Sequence, residues 1–320
     1  MKVFIKIHIN SRWRAQIERA REACPALQFT ADEQDIPESE VFMGVGFSSE
    51  AFQRAEKLRA VIVPMTGVDS LPLEELSQRS VLVGNVHGNA RSVAERTIAL
   101  VLAWYGNIIP YHRDLQRGIW HGFWVNNGLK DTWESLNGKT CVILGAGSIG
   151  RYIAEMLKPF GVTVTGYRRR DKPLSPPFDR TVFDIDEALK AGEIVISVLP
   201  DTPETQGILN KQRLSQMHHQ VLVNVGRSGV AVEQDLFEAL QMRTLRGAAL
   251  DCWYQYPSGN NGRAPSQYPF GELDNVIMSP HLGGYTRDAA VQSNADAFDN
   301  LIHFCTTGKL LYGVDLRRGY

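Results

Sequence analysis

Three closely spaced glycines are placed to bind a phosphate group. Gly145, Gly147 and Gly150 form a GxGxxG pattern between the apolar run 141–144 and an amphipathic stretch, 151–160. In a strand–turn–helix context, the first glycine permits a tight turn, the second lets backbone amides approach a pyrophosphate, and the third lets the helix pack on the strand. The helix N-terminus adds amide donors and a favourable dipole. The pattern predicts a dinucleotide site, with a tight turn that binds no ligand as the alternative.

Cationic side chains follow the next apolar run, at 162–167. Arg168 and Arg169 are followed by Arg170, and the first carboxylate there is Asp171. An acidic residue at this place selects the adenine-ribose hydroxyls of NAD, whereas arginine accommodates the 2′-phosphate of NADP. We therefore expect NADP(H) as the cofactor, with NAD(H) as the second choice. A solvated basic turn is the alternative interpretation.

Short apolar runs alternate with helical or turn-forming stretches on both sides of the glycine turn. The runs lie at residues 2–9, 41–47, 60–65, 81–86, 140–144, 162–167, 194–199, 221–225, 247–251 and 276–278. Helices are predicted over residues 11–23, 89–105, 151–160 and from 286 to about 305. Strands that alternate with helices are typical of parallel sheets covered on both faces. The pattern predicts an α/β fold.

Composition narrows the class of protein. The chain has 320 residues, 43% of them hydrophobic, and a formal net charge of −1, so nothing favours nucleic acid or an anionic membrane as a partner. No apolar run has the length of a membrane span. The four cysteines are far apart, which indicates neither a disulfide framework nor a zinc site and suits a reducing compartment. We expect a cytoplasmic protein without a metal site.

A series of motifs in a fixed order carries a family resemblance. The motifs are Thr66-Gly67-Val68-Asp69, Asn89-Ala-Arg-Ser-Val-Ala-Glu95, Leu136-Asn-Gly-Lys139, Leu199-Pro-Asp-Thr-Pro-Glu-Thr205, Asn224-Val-Gly-Arg227, Gly247-Ala-Ala-Leu-Asp251 and Ser279-Pro-His-Leu-Gly283. Together with the glycine turn they resemble the D-isomer-specific 2-hydroxyacid dehydrogenase family. The resemblance runs from about Ala60 to near the end of the chain and is weakest before that residue.

The resemblance implies two doubly wound parallel-sheet domains. A Rossmann NAD(P)-binding domain, residues 100–286, would be inserted into a flavodoxin-like substrate-binding domain made of residues 1–99 and 287–320. Members of the family are usually homodimers joined through their Rossmann domains, so we expect a homodimer.

The resemblance also assigns chemical roles. Arg227 matches the arginine that holds the substrate carboxylate, and His281 matches the acid/base histidine. The chemistry agrees, because a guanidinium can hold a carboxylate with two hydrogen bonds and a histidine titrates near neutrality. Without the resemblance, Arg227 would be read as a surface arginine and His281 as a loop histidine bonded to backbone.

Further positions are matched by the resemblance alone. Those that would contact the cofactor, beside the three glycines and the two arginines, are Ser148, Ile149, Val225, Asp251 and Gly283. Asp251 would lie near the nicotinamide carboxamide. Those that would hold the substrate or line its pocket are Met65, Thr66, Gly67 and Asn89.

The sequence departs from the family at the partner of the histidine. Family members usually place a glutamate shortly after the strand predicted at 247–251, and by spacing Tyr256 occupies that position. Gln255 is adjacent, and formate dehydrogenases of the broader family use a glutamine there. Glu272 and Asp274 precede His281 in the chain, but nothing in the sequence brings either carboxylate to the imidazole.

Two functions of different classes follow from this pattern. The first is an oxidoreductase that transfers a hydride between a nicotinamide cofactor and a small 2-oxo or 2-hydroxy acid. In this enzyme His281 is the acid/base and Arg227 holds the carboxylate, and a variant of it would act on another small anion. The second is a catalytically weak or inactive nicotinamide-binding regulatory or interaction protein, which the replacement of the glutamate by Tyr256 permits.

Overall fold

Strands and helices alternate along the chain in the computed structural model, which describes residues 1–6, 11–169, 172–259 and 262–319. The strands are β1 (Lys2–Lys6), β2 (Gln28–Thr30), β3 (Val41–Gly44), β4 (Ala60–Ile62), β5 (Leu82–Gly84), β6 (Thr140–Leu144), β7 (Thr163–Tyr167), β8 (Arg180–Val182), β9 (Ile194–Ser197), β10 (Val221–Asn224), β11 (Gly247–Leu250) and β12 (Val276–Met278). The helices are α1 (Ser11–Ala23), α2 (Ser49–Arg54), α3 (Leu73–Gln78), α4 (Ala90–Tyr105), α5 (Ile108–Gln116), α6 (Ser148–Leu157), α7 (Ile185–Lys190), α8 (Lys211–Leu214), α9 (Glu233–Gln241) and α10 (Arg287–Thr307). Short 3-10 helices lie at Glu33–Glu38, Gly122–Val125, Lys158–Phe160, Ser228–Val230 and Phe270–Glu272.

The chain forms two compact units, the first made of residues 1–90 and 285–320 and the second of residues 91–284. The domain boundary predicted at residues 99 and 100 falls within α4. In the structure, Val93, Ala94 and Val101 of this helix pack into the core of the second unit. The apolar residues of α4 indicate a buried helix, but they do not indicate which of the two sheets it covers.

The first unit contains a parallel sheet of five strands. Their order is β2-β1-β3-β4-β5, and each neighbouring pair runs in parallel. This is the strand order of the flavodoxin-like fold. Successive residues of a strand face opposite sides of the sheet, so Val3 and Ile5 enter one core cluster and Phe4 enters the other. Trp13 of α1 and Phe298 of α10 pack edge to face in the first of these clusters, with ring centroids 5.4 Å apart.

A disulfide joins Cys24, just after α1, to Cys305 in α10. Cysteine spacing had indicated no disulfide framework, and it missed this crosslink because the two residues are 281 positions apart. The helices α1 and α10 become neighbours only when both cover the same face of the sheet. Cys141 and Cys252 are unpaired and buried.

The second unit contains a parallel sheet of seven strands, in the order β12-β11-β10-β9-β6-β7-β8. The first strand of the unit, β6, lies between β7 and β9, and all the strand pairs are parallel. This is the doubly wound Rossmann order with one further strand. The predicted fold class is therefore confirmed.

Core packing on both faces explains why the central strands of this sheet are mostly apolar. Val142 and Leu144 of β6 pack into one cluster, while Cys141 and Ile143 pack into the cluster on the opposite side. All four side chains are fully buried. A strand covered on both faces has no polar face, and its sequence is a continuous apolar run.

Sequence patterns did not predict β2 and β8. Each is three residues long and forms an edge of its sheet. Gln28 and Arg180 are exposed, so neither strand has the continuous apolar run of a central parallel strand. The first strand was predicted over residues 2–9. Within that range β1 covers Lys2–Lys6, and residues 7–9 lie outside the described part of the chain.

Among the helices that the structure describes, none is long and apolar enough to span a membrane.

Candidate functional site

The turn after β6 is built by glycines. Gly145 has a φ of +104°, a conformation that residues with a β-carbon rarely adopt. A β-carbon on Gly150 would overlap the carbonyl oxygen of Gly145, whereas one on Gly147 would have no heavy atom within 4 Å. The first and third glycines are thus required by the protein itself. The second keeps space open in front of the turn.

This turn fits the pyrophosphate of a dinucleotide. Gly147 precedes the first residue of α6, and Gly147 and Ser148 are both exposed. The unpaired amides at the start of a helix attract anions, and α6 is ten residues long. Ile149 is half-buried, at the base of the same helix turn. The residues present therefore fit a nicotinamide dinucleotide.

Arg168 and Arg169 follow the carboxyl end of β7, next to β6 in the sheet. Arg168 is half-buried, and its backbone amide donates to Val182 at 3.2 Å. The guanidinium of Arg169 lies 3.5 Å from the carboxylate of Glu204, and both side chains are partly exposed. Arg170 and Asp171 lie outside the described residues.

A buried asparagine shapes the turn that carries Arg227. Asn224, the last residue of β10, is 2% exposed. Its side-chain amide donates to the carbonyl of Arg227 at 3.0 Å, and its side-chain oxygen accepts from the amide of Gly226 at 3.2 Å. Val225 is buried within the turn. Arg227 itself is half-buried, three residues beyond the strand.

Asp251 follows β11 directly and is 1% exposed. One carboxylate oxygen accepts from the hydroxyl of Ser279 and from the amide of Leu282 at 3.3 Å, and the other accepts from the amide of Gly283 at 2.9 Å. A β-carbon on Gly283 would lie 3.0 Å from this carboxylate. Asp251 therefore holds the turn after β12, and Gly283 allows the close approach.

His281 and Tyr256 form a hydrogen-bonded pair. The hydroxyl of Tyr256 lies 2.6 Å from Nδ1 of His281 and accepts from the amide of Trp253 at 3.1 Å. His281 is exposed, with a φ of +56°. Burial raises the pKa of Tyr256 above its ordinary value of 10, although the Trp253 amide and the charge of Arg227 lower it. Tyr256 therefore stays neutral near pH 7 and gives the imidazole a hydrogen bond without a charge.

Trp253 connects the turns after β10, β11 and β12. Its carbonyl accepts from the hydroxyl of Ser228, the residue after Arg227, at 2.7 Å. Its indole nitrogen donates to the carbonyl of Ser279 at 2.8 Å, and the side chain is 4% exposed. The turns that carry Arg227 and His281 are thus both fixed to the same buried residue.

Three other polar residues, Gln255, Glu272 and Asp274, lie near Tyr256 or His281 in the sequence. The side-chain oxygen of Gln255 accepts from Arg263 at 3.0 Å, and Asp274 pairs with Arg243 at 2.5 Å. Glu272 and Asp274 precede the amino end of β12, whereas His281 follows its carboxyl end. These two carboxylates therefore lie at the amino ends of the strands, whereas His281 lies at their carboxyl ends.

The first unit brings together the remaining predicted residues. The hydroxyl of Thr66 lies 2.7 Å from the side-chain oxygen of Asn89. The side-chain amide of Asn85 donates to the Thr66 carbonyl at 2.8 Å, so the chain after β4 is tied to the chain after β5. Met65 is 43% exposed, and Gly67 is half-buried in the same turn.

Sequence reasoning gave no role to three residues that the structure places in the site. Asn224 and Ser279 lie inside quoted motifs but were given no role, and Trp253 lies just after the motif that ends at Asp251. A polar residue at the end of an apolar run, as at Asn224, or directly after one, as at Ser279, is a sequence signal for a side chain that fixes the following turn. Burial raises the pKa of the Cys252 thiol to about 12. The described residues contain no cluster of His, Cys, Asp and Glu that could hold a metal.

Two substitutions in the glycine turn should have different effects, one on thermal stability and the other on cofactor binding. Gly150→Ala should lower the unfolding temperature, because the new methyl group overlaps the Gly145 carbonyl. Gly147→Ala should leave that temperature nearly unchanged but weaken nicotinamide dinucleotide binding at least tenfold, because its methyl group fills the space in front of the turn. Thermal unfolding and fluorescence titration with NADPH measure the two effects. Unchanged NADPH affinity in Gly147→Ala would exclude this turn as the binding site.

Comparisons with known proteins agree with this geometry. The family model for the NAD-binding domain of D-isomer-specific 2-hydroxyacid dehydrogenases matches residues 98–283. D-3-phosphoglycerate dehydrogenase of Methanocaldococcus jannaschii is 31% identical over 250 residues, which are 77% of this chain and 45% of that protein. Formate dehydrogenase of Candida boidinii is 30% identical over 295 residues, which are 87% of this chain and 78% of that protein.

A solved structure shows the same fold. An acyclic imino acid reductase in complex with NADPH and D-arginine superimposes with a TM-score of 0.81 at 22% identity, covering 98% of this chain and 100% of that one. The chain spans about half the length of the phosphoglycerate dehydrogenases that it matches. The family model covers over half of the chain, and the formate dehydrogenase is matched over most of its length. The chain therefore belongs to the D-isomer-specific 2-hydroxyacid dehydrogenase family, as its ordered motifs predicted.

Proposed function

We propose that this protein is a nicotinamide-dependent oxidoreductase that interconverts a small 2-oxo acid and the corresponding 2-hydroxy acid. The observation that carries the proposal is the exposed His281, whose Nδ1 lies 2.6 Å from the Tyr256 hydroxyl at the edge of the sheet where the glycine turn also lies. Ligands of doubly wound folds bind at this edge, beyond the carboxyl ends of the strands.

His281 would hold the exchanged proton. The bound cofactor would supply or accept the hydride, and the oxygen of the reacting carbon then needs a proton donor or acceptor. Because Nδ1 is engaged with Tyr256, Nε2 is the nitrogen that would exchange the proton with the substrate. In reduction the imidazolium donates this proton, and in oxidation the neutral ring accepts it.

Arg227 would hold the substrate carboxylate. Its guanidinium is permanently charged and can donate two parallel hydrogen bonds, which fixes a 2-oxo acid in one orientation. The turn that carries Arg227 is itself held by Asn224 and by the contact from Ser228 to Trp253. This rigidity limits the entropy lost when the substrate binds.

The unit of residues 1–90 and 285–320 is proposed as the substrate-binding domain. Its Met65, Thr66, Gly67 and Asn89 would contact the carboxylate or line the pocket, supported by the bonded pair of Thr66 and Asn89. In the other unit, Val225, Asp251 and Gly283 would contact the nicotinamide end of the cofactor.

NADPH is the proposed cofactor. Arg168 and Arg169 lie at the end of β7, where the adenine ribose binds in a Rossmann fold. Arg169 also has Glu204 within 3.5 Å, so Arg168 is the better candidate for a contact to the 2′-phosphate. The imino acid reductase with this fold was solved with NADPH.

A homodimer is proposed from an exposed apolar segment, residues 119–133. Its large side chains are between 41% and 86% exposed, namely Ile119, Trp120, Phe123, Trp124, Val125, Leu129 and Trp133. Exposed apolar patches of this kind mark interaction sites. His121 fixes the segment between Asp114 and Asp131, each 2.9 Å from an imidazole nitrogen, and these carboxylates raise its pKa.

A second candidate is a nicotinamide-binding regulatory protein with little or no turnover. The observation that favours it is the neutral Tyr256 in the place of the usual glutamate. Consumption of NADPH and NADH should be followed with glyoxylate, hydroxypyruvate, phenylpyruvate and branched 2-oxo acids. Cofactor binding without oxidation in the presence of any of them would support this candidate over the enzyme.

The proposed roles predict distinct kinetic defects. His281→Asn should lower kcat by about 10²–10⁴-fold, the range for a positioned acid or base. Arg227→Ala should mainly raise KM for the 2-oxo acid. NADPH affinity should change little in either variant, and His219→Asn, which alters an exposed histidine, should behave as the parent. Near-normal turnover of His281→Asn would refute the acid/base assignment.

The proposed role of Arg168 predicts that its substitution reverses the preference for NADPH over NADH. The parent should have a higher kcat/KM with NADPH than with NADH, and Arg168→Asp should reverse the order, because the carboxylate repels the 2′-phosphate. Arg180→Asp makes the same change of charge on the neighbouring strand, away from the carboxyl end, and should keep the preference. Equal kcat/KM for both cofactors in the parent would contradict the proposal.

The neutral Tyr256 beside His281 predicts how the rate of 2-oxo acid reduction depends on pH. A carboxylate beside an imidazole raises its pKa by about 1–3 units, and Tyr256 supplies no such charge. Because the imidazolium is the proton donor in reduction, the reduction rate should fall as pH rises, and this fall should come at a lower pH than with a carboxylate partner. Tyr256→Glu should move this fall to higher pH, while Tyr256→Phe should not. A reduction rate in the parent that stays constant up to pH 9 would contradict the assignment.

The homodimer proposal predicts that a charge in the apolar segment separates the subunits. Trp124→Glu should give a monomer by light scattering, because a buried unpaired charge opposes association. Met242→Glu, at an exposed apolar residue elsewhere in the second unit, should leave the assembly unchanged. A parent that is monomeric at micromolar concentration would exclude the dimer.

A further inference from the structure

The backbone of His281 is held in a conformation that needs support. Its φ of +56° lies in the left-handed region, which residues with a β-carbon adopt at a cost in free energy. Such a residue keeps this conformation only where the surroundings determine it. The supports are found in the amides on its C-terminal side and in the residue two positions before it.

Asp251 supplies the first support. Its carboxylate accepts from the amides of Leu282 and Gly283, the two residues that follow His281. A carboxylate that is 1% exposed is costly to bury unless hydrogen bonds and a nearby positive charge compensate it. The two amides supply part of that compensation.

Arg96 supplies the charge through a serine. In α4, its Nη2 lies 2.8 Å and its Nε 3.2 Å from the hydroxyl oxygen of Ser279. A guanidinium can only donate, so Ser279 accepts from Arg96 and directs its single hydroxyl hydrogen to Asp251. Ser279 is 3% exposed, so water competes little for these bonds. The direction of every hydrogen bond from Arg96 to the turn is thereby fixed.

We infer that Arg96 is a positioning residue for His281, acting through Ser279 and Asp251. The guanidinium orients the Ser279 hydroxyl, this hydroxyl orients the Asp251 carboxylate, and the carboxylate fixes the turn on which the imidazole meets Tyr256. The inference rests on the proposed function, in which His281 exchanges the proton. It assigns this role to a residue on α4 whose guanidinium bonds the Ser279 hydroxyl.

The kinetic test uses Arg96→Met, which keeps the length of the side chain but removes its donors. We expect kcat for 2-oxo acid reduction to fall about 10–100-fold, the loss caused by a misplaced catalytic group. KM for the 2-oxo acid should change less than threefold. Ser279→Ala should give the same loss, and Ser279→Thr, which keeps the hydroxyl, should restore most of the activity. Arg91→Met, at a 70% exposed arginine of the same helix, should behave as the parent.

The double variant separates this role from simple packing. If Arg96 acts through Ser279, Arg96→Met combined with Ser279→Ala should be no slower than either single variant, since both break the same connection. If the two fold-losses multiply, or if Arg96→Met keeps kcat within twofold of the parent, the inference is wrong. Its failure is distinct from that of the proposed function, which is decided by His281→Asn.

Hydrogen exchange tests the same connection without turnover. In the parent, the amides of Leu282 and Gly283 should exchange slowly because they donate to Asp251. Mass spectrometry of a peptide covering residues 279–284 should show exchange at least tenfold faster in Arg96→Met and Ser279→Ala, but not in Arg91→Met. Unchanged exchange in the first two variants would overturn the inference even if no substrate were found.

Discussion

Parallel pairing of the seven strands is the constraint on which the candidate site depends. Because β6, β7, β10, β11 and β12 all run in one direction, the residues that follow them emerge at one edge of the sheet. The glycine turn, the arginine after β7, Arg227, Asp251 and His281 follow these five strands. Reversing one strand would move its residue to the other edge, as the positions of Glu272 and Asp274 before β12 illustrate.

Turns at this edge need internal support, because their backbone groups have no partners in the sheet. Buried polar side chains supply it. Asn224 bonds both sides of the turn that carries Arg227, and Asp251 bonds the turn that carries His281. Trp253 connects the two turns through the Ser228 hydroxyl and the Ser279 carbonyl. Rigidity of the site thus comes from a few groups that are almost fully buried, while His281 stays exposed.

Tyr256 makes the partner of the proposed acid/base histidine a neutral group. A phenol can form a hydrogen bond with an imidazole, as a carboxylate can, but it carries no charge that would stabilise the protonated ring. Burial keeps this phenol neutral near pH 7, so its bond to His281 brings no negative charge to the imidazole. The position that spacing assigned to the partner of the histidine is thus occupied by a group that bonds the imidazole without a charge.

The sequence by itself determined the fold class, the family and the set of residues that follow the strands, because apolar runs, glycines and ordered motifs are local signals. It located Tyr256 by spacing, but only the tertiary structure placed its hydroxyl 2.6 Å from His281 and directed Gln255 to Arg263. The end of the first unit at Ala90, the Cys24–Cys305 disulfide and the connection from Arg96 to Ser279 also required the tertiary structure. Arg96 and Ser279 are 183 positions apart, and Cys24 and Cys305 are 281 apart. Such contacts arise only when helices pack on a finished sheet, so no pattern of neighbouring residues can reveal them.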